Sequence, residues 1–304
     1  MADRVVIEVG LNENQERRAN RHVPYTAAEL ADDARRCYDA GAAVVHYHGR
    51  RGPHGEPALS DAAVNLEAQR RITDAAPLIA YPSYGSEVRV LDYYDIGTPA
   101  PERYGHIVAC VEAGLRCEVA PVDLGAFDSN AAFDSVSGRL VPSTGLLMNT
   151  GTDQSWALEF CRRRGLKPFF TAFDTIHLQN LRNLVEWGSA GTLPFVLKIF
   201  LAGASATPQT LLFHRGRLRE LFAEADILWT PLVYGTSQLP LCALSLSLGG
   251  HVRVGIGDHH YRELGEPTNA ALVERIVAVA RALGREPATR DETRALMGIR
   301  PRPA

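Results

Sequence analysis

The sequence predicts a (β/α)₈ TIM barrel, an α/β fold in which eight parallel strands alternate with helices. Three observations lead to this prediction. Short runs rich in β-branched residues alternate with amphipathic stretches along the 304 residues. The runs are almost continuously apolar, as in parallel strands that are buried on both faces. No G-x-G-x-x-G motif follows the first run, which disfavours the alternative fold, a doubly wound open sheet.

Eight segments carry the strand pattern, and helical periodicity separates them. The strands are expected at residues 4–9, 43–47, 78–81, 117–120, 168–173, 194–200, 226–233 and 251–256. The helices are expected at residues 27–40, 60–75, 101–113, 153–164, 177–187, 208–223, 239–248 and 270–283. The clearest helix begins at a capping box formed by Thr26 and Glu29 and ends before Gly41. Asn269 is expected to cap the last helix.

The chain is predicted to form one barrel domain, residues 1–285, followed by a C-terminal arm, residues 286–304. The arm is expected to be loose, with a helix near 290–297, and could pack on a neighbouring subunit. Residues 122–150 are rich in Asp, Ser, Asn and Gly. They are interpreted as a long functional loop with one short strand near 146–149.

Composition excludes several classes of protein. The net charge of −3 gives no reason to expect a nucleic-acid or membrane partner. No apolar run is long enough to span a bilayer, and the N-terminus has no signal-peptide pattern. The five cysteines are scattered and lack C-x-x-C spacing. They indicate free thiols in a reducing compartment, and therefore the cytoplasm, rather than disulfides or a zinc ribbon.

The sharpest local motif is His46-Tyr47-His48, at the end of the second predicted strand. Residues two apart in a strand point to the same face, so both imidazoles project together. Barrel enzymes build their sites at this end of the strands. Two imidazoles on one face form half of a site for Zn²⁺ or a similar divalent ion. The alternative is a pair of hydrogen-bonded core histidines.

A second cluster closes the last predicted strand, where Arg253 is followed by Gly255, Gly257 and Asp258. The glycines leave room for a close approach of backbone or ligand. An arginine directed into a barrel mouth suits a carboxylate or a polarised carbonyl group. Asp258 could orient the guanidinium or act as a base. The alternative is a structural ion pair that closes the barrel.

Other polar residues follow several of the predicted strands, as a barrel with its site at one end requires. Glu8 is interpreted as a charge inside the barrel, and each of the others is most simply a cap or a loop hydrogen-bonding residue. Lys198 could form a Schiff base, although its neighbours give no independent support. These other residues are Glu13, Asn14, Ser83, Glu118, Asp123, Asp174 and His177.

The sequence resembles the β-keto acid cleavage enzymes, a family whose founding member is the 3-keto-5-aminohexanoate cleavage enzyme of lysine fermentation. The resemblance runs nearly from end to end, and the motifs of strands two and eight are specific. The matching segments are residues 23–29, 40–50, 167–168, 173–175 with His177, 249–255 and 269–275.

The resemblance implies a (β/α)₈ barrel, assembled as a homo-oligomer (a tetramer or a dimer), that holds Zn²⁺ between the two histidines and a carboxylate. It implies an acyl transfer in which a β-keto acid and acetyl-CoA yield acetoacetate and a new CoA ester. By position, His46 and His48 match the metal ligands, and Arg253 and Asp258 match the catalytic pair. Ser83 matches a substrate-binding serine, and the first-loop residues Glu13 and Asn14 are assigned to substrate as well.

The chain departs from the family pattern at three places. Gly257 stands where the family has its third metal ligand, a glutamate. Phe169 and Thr171 stand where strand five of the family carries glutamates, which argues against an amino-bearing substrate. Asn14 aligns with the first-loop glutamate. The metal could keep two protein ligands, recruit His259 or another residue, or be lost.

The sequence is compatible with three functions. The first is β-keto acid cleavage with acetyl-CoA on a neutral or anionic keto acid. The second is a metal-assisted C–C lyase or hydrolase on the same barrel that does not use CoA. The third is a barrel without catalysis that binds a small acid. Metal content separates the third from the others, and the use of acetyl-CoA separates the first two.

Overall fold

The computed structural model describes residues 3–13, 15–84, 98–128, 132–134, 139–141 and 146–299. Eight parallel strands form its centre, at positions close to those predicted. They are β1 (Ile7–Gly10), β2 (Val44–Tyr47), β3 (Ile79–Pro82), β4 (Val119–Asp123), β5 (Lys167–Ala172), β6 (Phe195–Ala202), β7 (Ile227–Tyr234) and β8 (Val252–Val254).

The strands form two parallel halves, ordered β8-β1-β2-β3 and β4-β5-β6-β7. The halves meet at both edges, where β3 lies beside β4 and β7 lies beside β8. At the second junction the His251 N–H donates to the Trp229 carbonyl over 2.9 Å. The predicted (β/α)₈ barrel is confirmed.

Helices cover the outside of the strands. They are α1 (Ala27–Ala40), α2 (Ala62–Ala75), α3 (Ala100–Arg103), α4 (Gly105–Glu112), α5 (Gly151–Arg164), α6 (Thr175–Glu186), α7 (Pro208–Leu221), α8 (Leu239–Ser247), α9 (Asn269–Ala282) and α10 (Arg290–Leu296). The helix predicted over 101–113 is thus divided at Tyr104, whose backbone leaves the helical region. Within the described residues, no helix has both the length and the apolar character needed to cross a membrane.

Of the two helix caps predicted from the sequence, the one at α1 is confirmed and the one at α9 is wrong. Thr26 and Glu29 form the predicted capping box of α1. The residue that caps α9 is Thr268 and not Asn269, because the Thr268 side chain accepts a hydrogen bond from the Ala271 N–H. The buried Asn269 amide is engaged elsewhere: its oxygen accepts from the Ile256 N–H and its nitrogen donates to the Leu11 carbonyl.

The fourth strand begins two residues later than predicted, at Val119. Glu118 therefore lies before the strand rather than within it. Its carboxylate contacts Arg290 at 3.0 Å and Arg294 at 2.8 Å. Both arginines belong to α10, so Glu118 fastens the C-terminal helix to the amino end of the barrel and takes no part in the mouth.

Inward-facing side chains form layers inside the barrel, because they recur every second residue along each strand. The layer near the amino ends is apolar and includes Val6, Val44, Ile79, Val119, Phe169, Val196 and Leu228. Two residues further along most of these strands the layer is polar and includes Glu8, His46, Tyr81, Thr171, Lys198 and Thr230. The polar layer lies between a sealed floor and the mouth at the carboxyl ends.

The segment after α9 packs on its own barrel, so the expectation of a loose arm is wrong for the part that the structure describes. Arg285–Pro287 pairs in parallel with Asp3–Val5, and the boundary predicted after residue 285 falls inside this strand. Met297 and Ile299 are buried in the same cluster as the apolar floor. The burial of these apolar side chains and the contacts of Glu118 with Arg290 and Arg294 hold this segment against the barrel.

The Met297→Ala variant is expected to lose about 2–4 kcal/mol of its free energy of unfolding, the usual range for truncating a buried methionine. The reason is that Met297 is only 2% exposed beneath the barrel floor. Urea denaturation followed by circular dichroism measures the loss. The control is Leu283→Ala, at a position that is 48% exposed, with an expected change within about 0.5 kcal/mol. Equal stability of the two variants would contradict the packing of Met297 against the barrel floor.

Candidate active site

His46 and His48 project together into the barrel mouth from β2. His46 pairs in register with Gly10 of β1 on one side and with Tyr81 of β3 on the other. The intervening Tyr47 faces outward, where its hydroxyl donates to the Gln69 side chain. Both imidazoles are buried. The predicted common face of the two histidines is confirmed by this alternation.

Glu13 lies between the two imidazoles. One carboxylate oxygen is 3.1 Å from His46 Nε2, and the other is 2.5 Å from His48 Nε2. The three side chains bring their ligand atoms within 4.8 Å of one another. The Nδ1 atoms of both histidines are buried, with no hydrogen-bond partner among the described residues. One carboxylate and two imidazoles form a donor set typical of a catalytic zinc site.

The backbone of Glu13 is held in an unusual conformation. Its φ is +31°, a region that residues other than glycine rarely adopt. Arg50 fixes it there, since Nη2 of Arg50 donates to the Glu13 carbonyl at 2.6 Å and to the Gln15 carbonyl at 2.7 Å. Tyr234 steadies the side chain, because its hydroxyl donates to the Glu13 carboxylate at 2.7 Å. Surrounding contacts thus stabilise the conformation that places the carboxylate between the histidines.

Gly257 provides the space that Glu13 occupies. A Cβ atom at this position would lie 2.8 Å from Cγ of Glu13 and 2.8 Å from both the Asn12 nitrogen and the Gly10 oxygen. These two backbone atoms could move away from the added Cβ only if the chain around Gly10 and Asn12 shifted. A larger residue at 257 would therefore displace the loop that carries Glu13.

Arg253 joins three carboxylates beneath this group. Its Nε donates to Asp258 at 2.9 Å and its Nη2 donates to the other Asp258 oxygen at 2.7 Å. Its Nη1 donates to Glu8 at 2.7 Å, and Nη2 also donates to Glu13. The predicted contact between Arg253 and Asp258 is present as a bidentate pair, and both side chains are fully buried. Arg253 therefore also positions Glu13.

Lys198 extends the same network across the barrel. Its Nζ donates to Glu8 at 2.7 Å and lies against the Tyr81 hydroxyl. Tyr81 donates to Glu8 at 2.6 Å, and its ring lies 4.5 Å from that of His46. The expectation that Glu8 is a charge inside the barrel is confirmed. Because Lys198 is committed to an ion pair, the structure favours a supporting role over a Schiff base.

The electrostatics of the network follow from burial and from the ion pairs. Burial alone would raise the pKa of Glu8, but Lys198 and Arg253 outweigh it and lower the pKa to about 2. Burial raises the pKa of Asp258 to about 6, since Arg253 offsets only part of the lost hydration. Burial also lowers the pKa of His46 well below its usual value. His46 is therefore neutral at pH 7, in the form that binds metals.

The remaining predicted residues fall at different places. Ser83 extends the inward alternation of β3 beyond Tyr81, and its backbone N–H donates to the Tyr47 carbonyl at 3.0 Å. It is partly exposed at the mouth, close to where His48 projects. Asn14 lies outside the described residues. His259 is not recruited to the histidine pair, because its Nε2 bonds with Glu263 at 2.8 Å instead.

The sequence did not predict an aromatic cluster that lies at the mouth. Phe127, Phe173, Phe200 and Tyr234 are each half-buried, at or just beyond the carboxyl ends of four successive strands. Phe169 and Phe170, which lie on β5 before Phe173, do not face the mouth. Phe169 lies in the apolar floor, and Phe170 packs outward against the helices. The alternation of β6 could have predicted that Phe200 faces inward, since Phe200 follows the inward-facing Lys198 by two residues.

A cavity of about 350 Å³ reaches His48 and Glu13 from the side of the mouth. Tyr25, Arg50 and His54 line it together with the loop that carries Glu13. This cavity gives small molecules a route to the histidine–carboxylate group.

Comparison with known proteins supports a single family. Residues 4–299 match the model of the family described as beta-keto acid cleavage enzyme. A 3-keto-5-aminohexanoate cleavage enzyme of Acetoanaerobium sticklandii is 31% identical over 286 residues, which cover 92% of each chain. A 3-oxoadipate:acetyl-CoA acetyltransferase of Cupriavidus necator is 29% identical over 93% of this chain and 90% of its own. A 3,5-dioxohexanoate:acetyl-CoA acetone transferase of Paraburkholderia graminis is 28% identical over 92% and 90%.

Solved structures agree on the fold. The apo structure of ObcA superposes with a TM-score of 0.67 at 17% identity, over 91% of this chain and 66% of that chain. A 3-dehydroquinate dehydratase from Geobacillus kaustophilus superposes with a TM-score of 0.52 at 12% identity, over 92% and 93%. At these identities the likeness supports the architecture alone.

Proposed function

Because the chain belongs to the β-keto acid cleavage enzyme family, we propose that it transfers an acyl group from a β-keto acid to CoA. The reaction is R–CO–CH₂–COO⁻ + CH₃–CO–SCoA → CH₃–CO–CH₂–COO⁻ + R–CO–SCoA. The bond between the keto carbon and the CH₂ group breaks, and a bond forms between that CH₂ and the acetyl carbon. The CoA thiolate moves from the acetyl group to the acyl group R–CO. The observation that carries the proposal is the convergence of His46, His48 and Glu13 in the mouth of a family-matched barrel.

The proposal includes Zn²⁺, or a similar divalent ion, held by His46, His48 and Glu13. When bound, such an ion polarises a carbonyl oxygen and stabilises enolate charge. The charges of the buried network favour a cation. The carboxylates of Glu8, Glu13 and Asp258 face the cations of Lys198 and Arg253, so these five side chains together carry one net negative charge. The Nε2 atoms of both imidazoles face the Glu13 carboxylate, so they are the nitrogens that would bind the ion together with it.

The chain's own residues take the following roles in the proposal. Arg253 and Asp258 are the catalytic pair: Arg253 holds the acidic residues in place, and the raised pKa of Asp258 suits a group that exchanges a proton near neutral pH. Ser83 binds the substrate from the mouth, and Asn14, which lies outside the described residues, is assigned to the substrate from the sequence. Glu13 is proposed as the third metal ligand, since both of its oxygens face the imidazoles. The sequence had assigned Glu13 to substrate, and the two roles differ in a measurable way.

Metal and acetyl-CoA dependence test the proposed function together. Protein supplied with Zn²⁺ is expected to convert acetyl-CoA and a β-keto acid into equal amounts of acetoacetate and a new acyl-CoA. Removal of the metal by a chelator, or the His46→Ala substitution, should reduce this rate at least about 100-fold. Chromatography of the CoA esters measures the product, and elemental analysis measures the bound metal. His22→Ala, which changes a histidine outside this group, is the control.

Two outcomes would contradict the proposal. Metal-loaded protein that yields no acetoacetate from any β-keto acid would overturn the cleavage reaction. Protein that binds no divalent ion, with a His46→Ala variant that behaves as the parent chain, would overturn the metal centre.

We also infer that the protein works in the cytoplasm as a homo-oligomer. All five cysteines are buried and form no disulfide with one another, which agrees with a reducing compartment. Light scattering of the purified chain distinguishes a dimer or tetramer from a monomer.

A further inference from the structure

The mouth of the barrel has two chemically different sides. The side formed by β1, β2 and β8 carries the histidines and the buried acids. The side formed by β5, β6 and β7, with the segment after β4, carries the aromatic cluster of Phe127, Phe173, Phe200 and Tyr234. None of these four side chains carries a charge at neutral pH, and each remains partly exposed. We call this cluster the aromatic wall.

The aromatic wall is a packed surface rather than a scatter of rings. Phe127 stacks on Phe173 with centroids 4.9 Å apart, and Phe200 lies edge-on at 5.2 Å from Phe127 and 5.0 Å from Phe173. Phe200 contacts the Tyr234 ring at 5.2 Å. The N–H of Phe173 donates to His177 Nδ1 at 3.1 Å. This bond holds the Phe173 backbone at the end of β5 and explains why a histidine follows there.

The wall adjoins the proposed metal centre directly. The Tyr234 ring belongs to the wall, while its hydroxyl donates to the Glu13 carboxylate at 2.7 Å. A β-keto acid whose keto group lies at His46, His48 and Glu13 would therefore extend its substituent R across the mouth onto these rings. Half-exposed aromatic faces beside a polar group are typical of pockets that bind an apolar chain and orient its polar end.

We propose that the aromatic wall selects β-keto acids whose substituent R is an uncharged, apolar chain, an inference that rests on the proposed function of the same site. A chain packed on the rings leaves water and gains affinity with each methylene. A terminal ammonium or carboxylate would instead lose hydration against four side chains that offer it no opposite charge. Selection thus arises from attraction for apolar chains and from the penalty on charged ones.

A panel of β-keto acids tests this specificity. For the metal-loaded enzyme with acetyl-CoA, kcat/KM is expected to rise roughly fourfold per added methylene from 3-oxopentanoate to 3-oxooctanoate. It should be lower for 3-oxoadipate and 3-keto-5-aminohexanoate, which carry charges in R. Phe200→Ala is expected to reduce kcat/KM for 3-oxooctanoate about tenfold and to flatten the dependence on chain length. Phe200→Leu, which keeps an apolar side chain and guards against a folding defect, should show a smaller loss. The control is Phe213→Ala, since Phe213 is 68% exposed on α7.

Calorimetric binding of the same acids without acetyl-CoA separates this inference from the proposed function. If binding tightens with chain length and weakens in Phe200→Ala, the result supports the role of the aromatic wall even when no acetoacetate forms. The missing product would then contradict the cleavage reaction alone. Acetoacetate production with a preference for 3-oxoadipate or 3-keto-5-aminohexanoate overturns the wall and leaves the cleavage reaction standing. Equal effects of Phe200→Ala and Phe213→Ala overturn the wall as well.

Discussion

The Arg253→Met variant is expected to lose about 3–5 kcal/mol of its free energy of unfolding, the range for removing one partner of a buried ion pair. Arg253 contacts the carboxylates of Glu8, Glu13 and Asp258 inside the barrel. Methionine fills part of the same volume but donates no hydrogen bond. The three acids would then share Lys198 as the cation left among the described residues of this network. Urea denaturation of the metal-free protein measures the loss.

A double variant shows whether uncompensated charge causes this loss. Adding Asp258→Asn to Arg253→Met removes one of the stranded carboxylates, so the two changes together should cost less than the sum of their separate effects, by about 0.5–3 kcal/mol. Arg51→Met is the surface control, because Arg51 pairs with Asp61 in solvent and such pairs contribute about 0–1 kcal/mol. A loss below 1 kcal/mol in Arg253→Met would show that the guanidinium is not needed to neutralise the acids.

The Glu13→Gln variant is expected to bind Zn²⁺ at least about 100-fold more weakly than the parent chain, since even residues that only support metal ligands contribute 10–100-fold. The amide keeps the shape of the carboxylate and can still accept from Tyr234, but it lacks the charge that attracts the ion. Turnover should fall with the metal content. Competition with a chromogenic chelator measures the affinity.

The control for Glu13→Gln lies in the same loop. Glu16 is exposed and pairs with Arg18, so Glu16→Gln should keep the parent affinity for zinc. The same experiment distinguishes the two roles considered for Glu13. If Glu13→Gln binds zinc as tightly as the parent chain but raises KM for the keto acid, Glu13 contacts substrate, as the sequence suggested.

The architecture could be predicted because it depends on periodicity, whereas several boundaries depend on contacts that periodicity does not show. The eight apolar runs locate the strands, since each is buried on both faces. Strand four was placed too early because Cys117 and Glu118 extend the run but precede the paired residues, which begin at Val119. The C-terminal segment was predicted to be loose because the sequence does not show that its few apolar side chains, such as Met297 and Ile299, are buried against the barrel floor.

The site was predictable where it follows from strand alternation. His46 and His48 share a face because they are two residues apart on a strand. Glu13 is different, since its direction depends on a positive φ and on Arg50, a residue 37 positions away in the chain. The aromatic wall was not predicted because its members come from four separate strand ends and meet only when β4, β5, β6 and β7 pair in one sheet.

The pairing of Asp3–Val5 with Arg285–Pro287 links strands that are far apart in the sequence, and this affects how the barrel folds during synthesis. Residues Asp3–Val5 align with Arg285–Pro287, and β1 also pairs with β8. During synthesis the first strands leave the ribosome long before their partners exist, and domains fold as units once their contacts are available. The first strand, and Glu13 in the loop after it, therefore cannot take their final positions until β8 and Arg285–Pro287 have been synthesised. The group formed by His46, His48, Glu13 and Arg253 can therefore assemble only after β8 has been synthesised and has paired with β1.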